Sequence, residues 1–68
     1  MDKKIYVEGL EESKEEAVNN AVKAVAGVTA CTAATMKAQV LVSFDESVGG
    51  IEDAINTAIS SCNITVLN

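Results

Sequence analysis

Polar and apolar residues alternate through Lys4, Ile5, Tyr6, Val7 and Glu8, with Ile5 and Val7 on one side. That period of two predicts a half-buried strand, which Gly9 ends. Ser13, Lys14, Glu15 and Glu16 then read as a capping box, with Ser13 at the N-cap and Glu16 at N3. Val18, Ala21, Val22 and Val25 follow at i, i+3, i+4 and i+7, so one stripe of the predicted helix is apolar. Gly27 stands where a helix C-cap is expected. Val40, Val42 and Phe44 alternate with Leu41 and Ser43, a second clear strand. After Gly49 and Gly50, Ile51, Ala54, Ile55, Ala58, Ile59 and Cys62 fall at i, i+3, i+4, i+7, i+8 and i+11, the most regular helical stripe in the chain. Glu52 and Asp53 in its first turn complement the helix dipole. Asn63, Ile64, Thr65 and Val66 close with a short strand.

Residues 28–35 are ambiguous in isolation. The alanines suit a helix, whereas Thr29, Thr32 and Thr35 are β-branched and suit a strand. The strand at 40–44 needs a partner and 28–35 is the nearest candidate, so a strand is expected. Met36, Lys37 and Ala38 then form the hairpin connection, although they lack good turn residues. The order is βαββαβ, which predicts an α+β, ferredoxin-like sandwich: a four-stranded antiparallel sheet with two helices on one face.

The length of 68 residues bounds this to one domain, 1–68, with a thin two-layer core and no deep substrate cavity. A hydrophobic fraction of 49% argues against disorder. The net charge is −5, with no His and only Tyr6 and Phe44 as aromatics. An acidic surface repels phosphate backbones and gives bases no stacking platform, so no nucleic acid is expected as a partner. No signal peptide is expected, because only a short mixed strand-like run follows Met1-Asp2-Lys3-Lys4, and no membrane insertion is expected, because Asn19, Asn20, Lys23 and Gly27 break the most apolar region. Cys31 and Cys62 lie far apart in sequence, and together with the missing signal they suggest a reducing, cytoplasmic setting.

Several segments taken in order carry a family resemblance. They are Ile5-Tyr6-Val7-Glu8-Gly9-Leu10, then Val22, Val25, Gly27 and Val28, then Val40-Leu41-Val42-Ser43-Phe44-Asp45, then Ile55, Ala58, Ile59, Ile64 and Val66. Over nearly the whole chain the sequence resembles the heavy-metal-associated (HMA) domains: the copper chaperones and the soluble domains of metal-pumping ATPases. The resemblance implies a metallochaperone-type protein for metal-ion binding or trafficking. It also implies a partner protein met at the metal-loop end, and a monomer or weak dimer. The family's GMxCxxC motif lies on the first strand–helix loop, where two thiolates hold Cu(I), Zn²⁺ or another soft ion. Here the loop reads Gly9, Leu10, Glu11, Glu12, Ser13, Lys14, Glu15. Counted from Gly9, the cysteine positions hold Glu12 and Glu15; counted back from Gly27, they hold Glu11 and Lys14. Leu10 replaces the family's Met and keeps its apolar character. The Gly-Tyr that many bacterial members carry after the last helix is replaced by Asn63-Ile64. The CxxC site is degenerate, and no ligand carries over.

Candidate chemistry is therefore sparse. Glu11, Glu12, Glu15 and Glu16 suit a hard cation by type, but they lack the Asp/Asn/Gly pattern of a calcium loop, and favourable charge at a helix start explains them better. Cys31 is expected to point into the core as a small hydrophobe. Cys62 most simply ends the buried stripe of its helix. The topology also places it, with Met36, at the metal-loop end, where the two suit a makeshift soft-metal site, or Cys62 alone suits one across a dimer. Cys31 and Cys62 are expected at opposite edges of the sheet, which argues against a disulfide. Catalysis has little support: there is no His, and no Ser or Cys has an obvious base. The alternative to a metal role is a metal-independent protein-interaction or regulatory module, with basic partners preferred by charge.

Overall fold

The computed structural model describes residues 1–67. Strand β1 (Asp2–Glu8) leads to helix α1 (Glu12–Lys23), strand β2 (Val28–Ala34), a 3-10 turn (Thr35–Lys37), strand β3 (Gln39–Phe44), helix α2 (Ile51–Ser60) and strand β4 (Thr65–Val66). The strands lie in the order β2-β3-β1-β4, and every neighbouring pair is antiparallel. This is the βαββαβ, ferredoxin-like arrangement the pattern predicts. The ambiguous segment is a strand, because pairing with β3 buries Cys31 and Ala33 against the inward side of the sheet.

The core follows the two periods. Ile5 and Val7 of β1 and Val40, Val42 and Phe44 of β3 point inward, with Ile5 paired to Val40 across the ladder. Val18 and Val22 of α1 and Ile51, Ile55 and Ile59 of α2 close over them in one cluster, which puts both helices on the same face. Ile64 completes the cluster just before β4.

Local details differ from the expectations. Ser13 does not cap α1. The N-cap is Glu11, in an extended conformation, and no side chain caps it; the Glu11 carbonyl accepts from the Lys14 N–H at 2.9 Å. Ser13 is exposed within the first turn. Helix α1 ends at Lys23 with Ala24 as its C-cap, so Val25 and Gly27 lie beyond it in the turn. Gly27 is nevertheless required: its φ is +96°, and a Cβ there would lie 2.7 Å from Ile51 Cδ1 and 2.8 Å from Val48 Cγ2. In α2 the buried line is Ile51, Ile55 and Ile59, one turn apart, and Ala54 faces solvent beside it. The last strand is shorter than expected, because Asn63 takes a left-handed φ of 62° before Ile64 and delays pairing to Thr65.

Candidate functional site

Three segments meet at one end of the molecule. The β1–α1 loop reaches the exit of α2, where a Cβ on Gly9 would stand 3.6 Å from the Asn63 carbonyl oxygen. The β2–β3 connection closes on β1 through the Val7 N–H, which donates to the Ala38 carbonyl at 2.9 Å. It also closes on α1 through the Thr35 N–H, which donates to Glu15 Oε2 at 2.9 Å. Without Gly or Asn for a tight hairpin, the chain makes a 3-10 turn and takes Ala38 into the left-handed region at φ 52°. This leaves Met36 98% exposed at the tip.

The loop side chains serve packing and hydrogen bonding. Leu10 is half-buried and packs on the core. Glu11 and Glu12 are exposed, and Glu12 and Glu15 lie in the first turn of α1, where negative charge complements the helix dipole. The Lys14 ammonium donates to the Gly9 carbonyl at 3.5 Å, so a positive charge sits over the loop. Thr35 holds the Glu15 carboxyl below its ordinary pKa of 4.5, its hydroxyl first and its backbone N–H second. Of those two donors the N–H is in hydrogen-bond geometry, whereas the hydroxyl oxygen is buried without a partner among the described residues. The N–H is therefore the contact that positions Glu15. The sequence places Glu15 in the acidic run and, counted from Gly9, at a cysteine position of the loop; its pairing with Thr35 spans 20 positions and leaves no local signal.

Both cysteines are free thiols. Cys31 is buried on β2, and burial raises its pKa to about 11 against the opposing influence of the Lys23 ammonium. Cys62 is half-buried just past α2, with its Sγ 3.7 Å from the Ala58 carbonyl oxygen and its side chain against the core. They belong to opposite sides of the sheet, since β2 is one edge and β4, which Cys62 precedes, is the other.

The donors at this end decide what the loop can hold. Carboxylates are hard ligands and an ammonium repels a cation, so the loop does not fit a soft ion such as Cu(I). The thiol of Cys62 and the thioether of Met36 are the soft donors at this end of the fold. No group of three or more His, Cys, Asp and Glu side chains among the described residues is arranged to hold a metal ion. No helix among them is long and apolar enough to cross a membrane.

No family model and no curated protein sequence matches the chain. Solved structures do. The "CopZ metallochaperone" is 26% identical with a TM-score of 0.89, and the match covers 98% of this chain and 100% of that one. The "CsoZ metallochaperone" is 19% identical at a TM-score of 0.85, covering 100% of this chain and 97% of the other. The yeast copper transporter domain Ccc2a, solved in apo and Cu(I)-loaded states, is 23% identical at 0.79, covering 98% and 94%. The chain therefore has the HMA, copper-chaperone-like fold.

Proposed function

We propose that this chain is a metallochaperone-type binding protein of metal-ion trafficking, not an enzyme, and that its site is degenerate. The end-to-end likeness to the CopZ metallochaperone, with every core element in place, carries this reading. The CxxC positions hold Glu12 and Glu15 counted from Gly9, or Glu11 and Lys14 counted back from Gly27, so neither register supplies the two-thiolate loop. Soft-metal binding falls instead to Cys62, with the Met36 thioether as a second donor or a second Cys62 across a weak dimer. The partner is another protein, meeting the chain at the loop end in the cytoplasm. The acidic first turn of α1 favours a basic partner surface.

A competition experiment tests this. The reduced protein is mixed with Cu(I) or Zn²⁺ held by a chelator of known affinity, alongside Cys62→Ser. Stoichiometric removal of metal by the wild type, lost in the variant, supports the reading. Equal and negligible uptake by both sinks it and leaves the alternative, a metal-independent interaction module on the same fold. The Glu15–Thr35 hydrogen bond favours that alternative, because it commits to structure a residue that the count from Gly9 puts at a cysteine position.

A further inference from the structure

Strand β2 is an edge of the sheet. An edge strand presents outward N–H and C=O groups to which another strand can add. Two of the N–H groups at this edge are occupied from above by helix α1. The Ala33 N–H donates to Asn19 Oδ1 at 2.8 Å and the Thr35 N–H to Glu15 Oε2 at 2.9 Å. Ala33 lies in β2 and Thr35 opens the 3-10 turn just after it; Ala34 between them is extended, so the two N–H groups still face the same side and both bonds lie along one edge.

The spacing is matched. Glu15 and Asn19 are four residues apart on the helix, a rise of about 6 Å. Ala33, in β2, and Thr35, the first residue of the 3-10 turn, are two apart across the extended Ala34, about 6.8 Å at strand rise. The helix and strand run in opposite senses, so 15 and 19 meet 35 and 33 in step. The next positions in the same series are Lys23 and Cys31, and the Lys23 ammonium does act on the Cys31 thiol. At its other end β2 carries an irregularity in register between Val28 and Ala30, which disturbs the ladder there. The opposite edge, β4, is only two residues long.

The strand itself offers no resistance to pairing. Its sequence, Val28-Thr29-Ala30-Cys31-Thr32-Ala33-Ala34, has no charge and no proline, and Thr29, Ala30 and Thr32 are exposed. A second copy presents the same edge, and antiparallel pairing of two such edges about a two-fold axis is self-complementary. We propose that Glu15 and Asn19 close the β2 edge against strand addition, and that the strand they exclude is β2 of a second copy of this chain.

The test uses two paired variants of the full chain, with amide hydrogen exchange and sedimentation velocity as readouts. Glu15→Gln with Asn19→Asp keeps an acceptor oxygen at both positions. Glu15→Met with Asn19→Leu removes both at similar volume. The wild type and the acceptor-keeping pair are expected to stay monomeric and to protect the Ala33 and Thr35 amides. In dilute solution the acceptor-free pair should exchange those amides at least about fivefold faster, the loss of one ordinary hydrogen bond. As concentration rises it should form dimers in which the β2 amides regain protection. An acceptor-free pair that folds and stays monomeric, or an acceptor-keeping pair that associates equally, overturns the proposal. If the acceptor-free pair does not fold, Asn19→Leu alone is read the same way at the Ala33 amide.

Discussion

Gly27 packs directly on Ile51: a Cβ on Gly27 would lie 2.7 Å from Ile51 Cδ1, so a methyl there forces the Ile51 side chain to shift. The contact ties the α1–β2 turn to the start of α2, and the Gly27 carbonyl accepts from the Asp45 N–H at 2.8 Å in the same region. Gly27→Ala combines that overlap with a φ of +96° and should cost about 1–3 kcal/mol in urea denaturation. Gly49→Ala is the control. Nothing lies within 4 Å of its added Cβ, and the change should stay within about 0.5 kcal/mol.

Ile59 is fully buried where α2 crosses the sheet. Ile59→Val should cost about 0.5–1.5 kcal/mol and Ile59→Ala about 2–5 kcal/mol. The larger value is a substantial share of the about 5–15 kcal/mol that holds an ordinary domain folded. Thermal melts of the two variants check the order. Ala54→Ser, on the exposed flank of the same helix, should be nearly silent.

Those core positions were legible because strand and helix periods are local. Val40, Val42 and Phe44, and Ile51, Ile55 and Ile59, announce their buried faces within a few residues. The ends of elements were not legible. Ser13 and Glu16 fit a capping box, yet the helix starts earlier, with the Glu11 carbonyl accepting from Lys14 and Glu15 drawn to the Thr35 N–H. Ala54 matches the helical period but falls beside the narrow line that meets the sheet. At the candidate site, that residues 9–15 hold no cysteine is plain from the sequence. The engagement of Glu15 by Thr35 and of Asn19 by Ala33 depends on α1 lying over the β2 edge, a tertiary fact with no local pattern.

The two thiols should differ sharply in reactivity. The thiolate is the reactive form, and Cys31 is buried with its pKa raised to about 11. Under native conditions a small alkylating reagent should modify Cys62 alone. Cys31 should follow only at the rate of global unfolding, as peptide mass spectrometry over a urea series can show. Equal labelling rates would contradict the buried placement of β2's inner face.

Stability should fall in acid, partly through Glu15 and Asp45. Thr35 lowers the pKa of Glu15, by hydroxyl and then backbone N–H, and Ser47 lowers that of Asp45 in the same two ways. Each folded-state pKa is depressed, so the unfolded chain binds the proton more readily. The stability they contribute is present above their ordinary values of 4.5 and 3.8 and is lost as the pH falls through the depressed folded values. Urea midpoints measured from pH 7 down to about pH 3 should fall less steeply for Glu15→Gln, which cannot titrate there. An unchanged slope would mean that Glu15 carries no linkage.

A nitrogen–proton NMR titration of the reduced protein with Cu(I) and then Zn²⁺, against a competing chelator, is the most direct test of a rebuilt soft-metal site at the loop end. Saturable shifts centred on Cys62, Met36 and the adjoining Leu10 loop, absent in Cys62→Ser, are the expected result. No shifts, or only diffuse shifts on Glu11, Glu12, Glu15 and Glu16, would contradict a metal-trafficking role and turn the search to a protein partner.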